Sequence, residues 1–361
     1  MLGRAGHRTE SALPPRGDTD DATTPLIVGG LAALAAPAVL LAQGIEKPRT
    51  VIAVGGKNLL YYLPLTIAEQ RGYFKAEGLD VEIVDFAGGS KALAAVVGGS
   101  ADVVSGAFEH TVNMQFKGQR MRAFVLQGRA PQIVLGINPK TMPNFKSVAD
   151  LKGKKIGVTA PGSSTNVMAN FVLAKAGLKP SDVSFIGVGA SNGAVAAMRS
   201  GQIDAISNLD PVITLLARSG DLKVVADTRK VADADRIFGG PMPAGCLYCP
   251  QSFIDKHPNT VQALANAMVR AAKWIQAAGP AEIIKVVPES FLLGDRAVYI
   301  EAFLAAQGAL SPDGTIPEQG AATAFRALAS ADPKIAAAKL DLQAVFTNDF
   351  VKKANAKYPK R

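Results

Sequence analysis

What this chain lacks narrows its chemistry. Its 361 residues include two cysteines, three histidines and one tryptophan, and aromatic residues make up 6%. Cys246 and Cys249 flank Leu247 and Tyr248, a spacing seen in redox pairs and zinc half-sites. No second cysteine pair or nearby histidine completes a tetrahedral set, and the surrounding Ala244 and Gly245 suit a short buried strand carrying two free thiols. His7 lies in the N-terminal leader and His257 in a Lys-His-Pro turn, so only His110 falls at an expected strand end. There is no Gly-x-Ser-x-Gly elbow, no His-Glu-x-x-His pair, no Walker loop and no dinucleotide fingerprint. The chain thus offers little to catalysis, and no metal or cofactor is expected. Dense basic runs are missing too. The net charge of +9 is scattered along the chain, which suits a solvated surface and gives no nucleic-acid module.

What is present is an ordinary globular composition, 48% apolar and 19% charged, long enough for two α/β lobes. One apolar run stands out, Pro25 to Ala42. It falls short of the ~20 residues of a membrane span, contains Gly29, Gly30 and Pro37, and ends in small residues before Gln43. It reads as a secretory segment cleaved after Ala42, with an uncleaved anchor as the alternative. Acidic residues ahead of the run (Glu10, Asp18, Asp20, Asp21) depart from a short basic leader. Neither cysteine follows the run, so lipid anchoring is excluded and a Gram-negative-type periplasm is the expected compartment.

Self-similarity supplies the architecture. Ala94 to Ser105 (AAVVGGSADVVS) matches Ala196 to Ser207 (AAMRSGQIDAIS), and upstream strands match as well: Thr50 to Gly55 with Lys155 to Thr159, and Val81 to Phe86 with Val183 to Val188. Helices are expected at Leu63 to Arg71 and Ser163 to Ala176, and after Asp255 at Asn259 to Ala278, Arg296 to Gln307 and Glu318 to Ser330. Each repeat alternates strand and helix, which predicts a parallel sheet. The expected organisation is a leader at 1–42, one lobe from 43–135 plus 245–361, and an inserted lobe at 136–244. The extended stretches Ile133 to Asn138 and Ala244 to Tyr248 are the candidate crossings.

Small polar turns follow every proposed strand. In the first lobe they carry Lys57, then Gly89 and Ser90, then Ser105, Phe108 and Glu109; in the second, Ser163, Ser164 and Thr165, then Asn192, then Asn208 and Asp210. Helix starts present free N–H groups that hold anions, although Ser, Thr and Asn also serve as ordinary N-caps. Six such turns on two repeated lobes are expected to line one cleft. Tyr61 and Tyr62 are candidates to flank a flat ligand, and Arg129, after a strand and before a crossing, is the candidate charge partner of an anion.

The block Tyr62 to Phe74, YLPLTIAEQRGYF, continuing as KAEGLDV to Val81, resembles the nitrate/sulfonate/taurine-type binding proteins. That family includes thiamine-pyrimidine binders and pyrimidine-synthesising enzymes. The stretch LKGKKIGV at Leu151 to Val158 fits as well. The resemblance implies a two-lobed, type 2 periplasmic-binding fold and a monomeric solute-binding role beside the membrane permease of an ATP-driven importer. Its cargo would be a small organic anion or zwitterion, or alternatively a pyrimidine-like heterocycle. The enzyme branch carries a run of cysteines, of which only Cys246-Leu247-Tyr248-Cys249 remains.

Overall fold

The two repeats fold into two five-stranded sheets, seen in a computed structural model that describes residues 44–359. The expected leader lies outside the described residues. The first sheet opens with β1 (Arg49–Gly55), β2 (Asp80–Phe86), β3 (Val103–Ala107) and β4 (Met121–Leu126). The second holds β5 (Val134–Ile137), β6 (Lys155–Val158), β7 (Ser184–Gly187), β8 (Ala205–Asn208) and β9 (Lys223–Asp227), and the chain then returns to the first sheet as β10 (Gly245–Pro250). Strand order is β2-β1-β3-β10-β4 in one sheet and β7-β6-β8-β5-β9 in the other. β1 pairs in parallel with β2 and β3, and β6 with β7 and β8.

β10 and β5 occupy equivalent places and run antiparallel to both neighbours. Each expected parallel sheet therefore contains one reversed strand, because the chain enters that sheet from the other lobe. This corrects the expected crossings. Most of 133–138 and 244–248 is strand, and the chain passes between lobes at 127–133 and 239–244. β5 thus sits in the inserted lobe, which begins before residue 136. β5 is buried throughout and β10 nearly so; apolar segments of this kind gain more from sheet burial than from bridging two lobes through water.

The repeated aspartates do the same work in both lobes. Asp102 accepts from the Val51 N–H at 2.9 Å through its carboxylate, and its own N–H donates to the Val51 carbonyl at 2.9 Å. Asp204 does both with Lys155, at 3.0 and 2.9 Å. A carboxylate here supplies the bond that the first strand lacks where it outruns its neighbour. The preceding turns need left-handed backbone, met by Gly99 and Gly201 at φ of +77° and +73°. The C-terminal helices close the molecule. Pro258–Ala277 packs on the helices of the first lobe, while Gly320–Ala329 touches both Glu109–Phe116 and Ser164–Lys175, one from each lobe. Among the described residues no helix is long and apolar enough to cross a membrane.

Candidate functional site

The turns at the carboxyl ends of the parallel strands face each other across the lobes, the usual place for ligands in open α/β sheets. They approach closely enough to bond. The Ser90 N–H donates to Ser163 Oγ at 3.1 Å, the Ser90 hydroxyl to the Pro161 carbonyl at 2.9 Å, and the Ser163 hydroxyl to Ser90 Oγ at 3.2 Å. Asn58 Nδ2 donates to the Ala190 carbonyl at 2.9 Å, and the Leu60 N–H to the Asp210 carbonyl at 3.1 Å. A Cβ on Gly88 would lie 2.8 Å from the Ala160 Cβ, so this contact depends on glycine.

Between this seam and the two crossings lies a small cavity. It leaves about 10 Å3 for the centre of a water molecule, room for one. Tyr61, Glu109 and Ser164 are its polar walls; Pro131, Ile133, Val167, Met168, Phe238, Met242, Pro243 and Ala244 complete it. No lysine or arginine is among them. A wider open groove lies at the far end of the first sheet, between 115–122 and 339–344, away from the facing turns.

Glu109 begins the helix Glu109–Phe116 and is 3% exposed. Burial pushes its carboxyl up to about 7, and a bond from its own backbone N–H offsets this only in part. Burial likewise raises the hydroxyls of Tyr61, Tyr62 and Tyr248 and the thiol of Cys246, with Glu109 adding to each. These groups are neutral around neutral pH. His110 is held down at about 4 by burial, against a contribution from the Gly162 backbone, and its Nδ1 lies 2.9 Å from the Tyr248 hydroxyl.

The family model described as NMT1/THI5 like matches residues 60–283. The chain belongs to this family. A solved protein of Bordetella bronchiseptica RB50 is 65% identical, with a TM-score of 0.87 over 88% of this chain and 100% of that one. The alkanesulfonate-binding protein SsuA of Xanthomonas axonopodis pv. citri, solved with MOPS bound, shares the fold at 20% identity and a TM-score of 0.62, over 86% of this chain and 99% of that one. A Schizosaccharomyces pombe 4-amino-5-hydroxymethyl-2-methylpyrimidine phosphate synthase is 26% identical over 58% of this chain and 60% of its own length. The fold of this NMT1/THI5-like chain is thus shared with a binding protein, and the chain has a relative named as an enzyme.

The structure gathers part of the expected site. Tyr61, Glu109 and Ser164 meet at the cavity, and Gly89, Ser90 and Ser163 line the seam, where Tyr62 approaches Gly89. The others serve elsewhere. Arg129, expected as the charge partner, is exposed and donates to the Gly308 carbonyl at 2.6 Å. Lys57 pairs with Glu69 at 2.8 Å because its turn is tied down by Asp85, which accepts from the Gly56 and Lys57 N–H groups. Ser105 accepts from Gln127 inside the first lobe, and Phe108 packs edge-on against Phe346. Thr165 bonds Thr159, Asn208 bonds the Gly189 carbonyl, and Asn192 is exposed. Asp210 accepts from Thr214 and Arg229. Sequence reasoning missed the apolar wall. Its one local signal was Met242 between Pro241 and Pro243, a stiff segment with a large flexible side chain.

Proposed function

We propose that this chain is the exported, periplasmic solute-binding component of an ATP-driven importer, delivering cargo to a membrane permease as a monomer. The supporting observation is one cavity walled by both lobes and both crossings, so that its contents report whether the lobes are together. No paired acid and base face that cavity, which favours capture over catalysis. For the cargo, the walls favour the heterocycle alternative over the organic anion. They supply one carboxyl, a tyrosine and a serine, and an anion would be buried without a cation.

A thermal-shift screen of small heterocycles and organic acids tests this reading. Binding only the folded state should raise stability by about 2.7 kcal/mol at a hundredfold excess over Kd. Small-angle scattering should report the same lobe arrangement with every ligand that stabilises. Failure of every small molecule to stabilise would sink the solute-binding role. Turnover of a ligand on the purified protein would move the chain to the enzyme branch.

A further inference from the structure

Among the described residues, the most deeply buried carboxylates come with cations, with one exception. Glu77 has Lys357 at 2.8 Å and Arg270 at 3.7 Å, with Asn266 and the Tyr358 hydroxyl also donating. Asp210 has Arg229 at 3.3 Å, and Asp221 has Lys140 and Arg199, each at 2.8 Å. Glu109 is as deeply buried as Asp210 and forms no ion pair among the described residues. The ionisable groups that interact with it are Tyr61 and Tyr62 from the turn Leu60–Tyr62 and Cys246 and Tyr248 from β10, none of which carries positive charge near neutral pH, and its chain neighbour His110 is uncharged there too. A carboxylate without a counter-charge in such a place is costly, yet this one opens onto the cavity between the lobes.

We propose that the missing counter-charge arrives with the solute: the cargo presents a planar N–H cation, of amidinium or protonated amino-heterocycle type, that pairs with Glu109 against the apolar and aromatic wall. This rests on the solute-binding reading and narrows its cargo. An amidinium can give two parallel N–H bonds to one carboxylate. Its flat apolar body suits Tyr61, Phe238 and the two methionines, whose unbranched side chains can move aside as the seam opens. A cargo of this class is also disfavoured at any site built for sulfonate or nitrate, so Glu109 would set the sign that the importer accepts.

The test uses three molecules of nearly one shape: benzamidine (cationic), benzamide (neutral) and benzoate (anionic). Each is titrated calorimetrically into the mature chain and its Glu109→Gln variant at pH 8, where the carboxyl is ionised. Benzamidine is expected to bind the wild type at least tenfold more tightly than benzamide. Glu109→Gln should lose at least tenfold for benzamidine and markedly less for benzamide, which carries no charge to pair with the carboxylate. At pH 7 benzamidine binding should release protons from Glu109, read as a binding enthalpy that varies with the buffer's ionisation enthalpy. Melting curves establish that the variant is folded. The inference is overturned if benzoate binds best, if none of the three binds, or if the variant holds benzamidine as the wild type does. A solute found in the thermal-shift screen would in each of those cases leave the binding role standing and reject only the cationic class.

Discussion

Each lobe carries a buried acid just beyond the third strand of its repeat, Glu109 after β3 and Asp210 after β8, and the two have opposite surroundings. Asp210 accepts from the Thr214 N–H at 2.9 Å and hydroxyl at 2.7 Å, and Arg229, itself clamped on Asp227, reaches it at 3.3 Å. Glu109 has the cavity. One acid is absorbed into the scaffold of the inserted lobe, and the other faces the cavity with no ion pair among the described residues. Two copies of one supersecondary unit thus differ in whether the lobe itself supplies the acid with a cation.

The sharpest way to break this comparison is to make Asp210 resemble Glu109. Arg229→Ala should strip a buried carboxylate of its cation and destabilise the protein by about 3–5 kcal/mol in urea unfolding at neutral pH. A loss below 1 kcal/mol would mean that Asp210 does not depend on its partner. The converse change, Glu109→Gln, should stabilise the ligand-free protein. The carboxyl titrates near 4.5 when free and at about 7 when folded. The folded state therefore holds the extra proton between these values, and wild-type stability falls as pH rises through that window. The variant should be more stable by roughly 3 kcal/mol at pH 8 and equal to wild type near pH 4. Equal pH dependence in both proteins would contradict an uncompensated Glu109.

The repeated strand caps sharpen the likeness of the two lobes. Asp102→Ala and Asp204→Ala should each cost about 1.5–3 kcal/mol, the range for a hydrogen bond to a charged group. Asp102 should cost slightly more because Lys47 also pairs with it. Chemical denaturation of the two variants measures the difference. The smallest effect is expected at the seam. Ser163→Ala removes the acceptor for the Ser90 N–H and the bond to its hydroxyl, about 1 kcal/mol of lobe-to-lobe contact. A larger radius of gyration in the ligand-free variant would show it, and an unchanged radius would mean that the other seam contacts suffice.

Much of the fold could be read from the chain. The strand Thr50 to Gly55 was one residue short of its observed start, and the expected helix Ser163 to Ala176 overran Ser164–Lys175 by one residue at each end. The paired motifs at Ala94 and Ala196 identified the duplicated unit because they set both a helix stop and a strand cap. The crossings were misread because Val134–Ile137 and Gly245–Pro250 are extended apolar segments, and sequence spacing alone does not say which sheet an apolar strand completes. The site was legible in position more than in chemistry. Polar turns marked the facing lobe edges, yet Ser90 and Ser163 bond each other across the seam. Arg129 follows a strand as expected, but the C-terminal chain offers its guanidinium the Gly308 carbonyl, a partner 179 residues away.

The exchange of β5 and β10 between the lobes also has a consequence for the order in which the chain acquires structure. All five strands of the second sheet lie in one uninterrupted stretch, Val134 to Asp227, so that sheet can close once this stretch is available. The first sheet cannot. Its place between β3 and β4 stays empty until Gly245–Pro250 returns, more than a hundred residues after Leu126. The lobe that begins first is therefore completed last, and the inserted lobe stands finished while its host still awaits a strand.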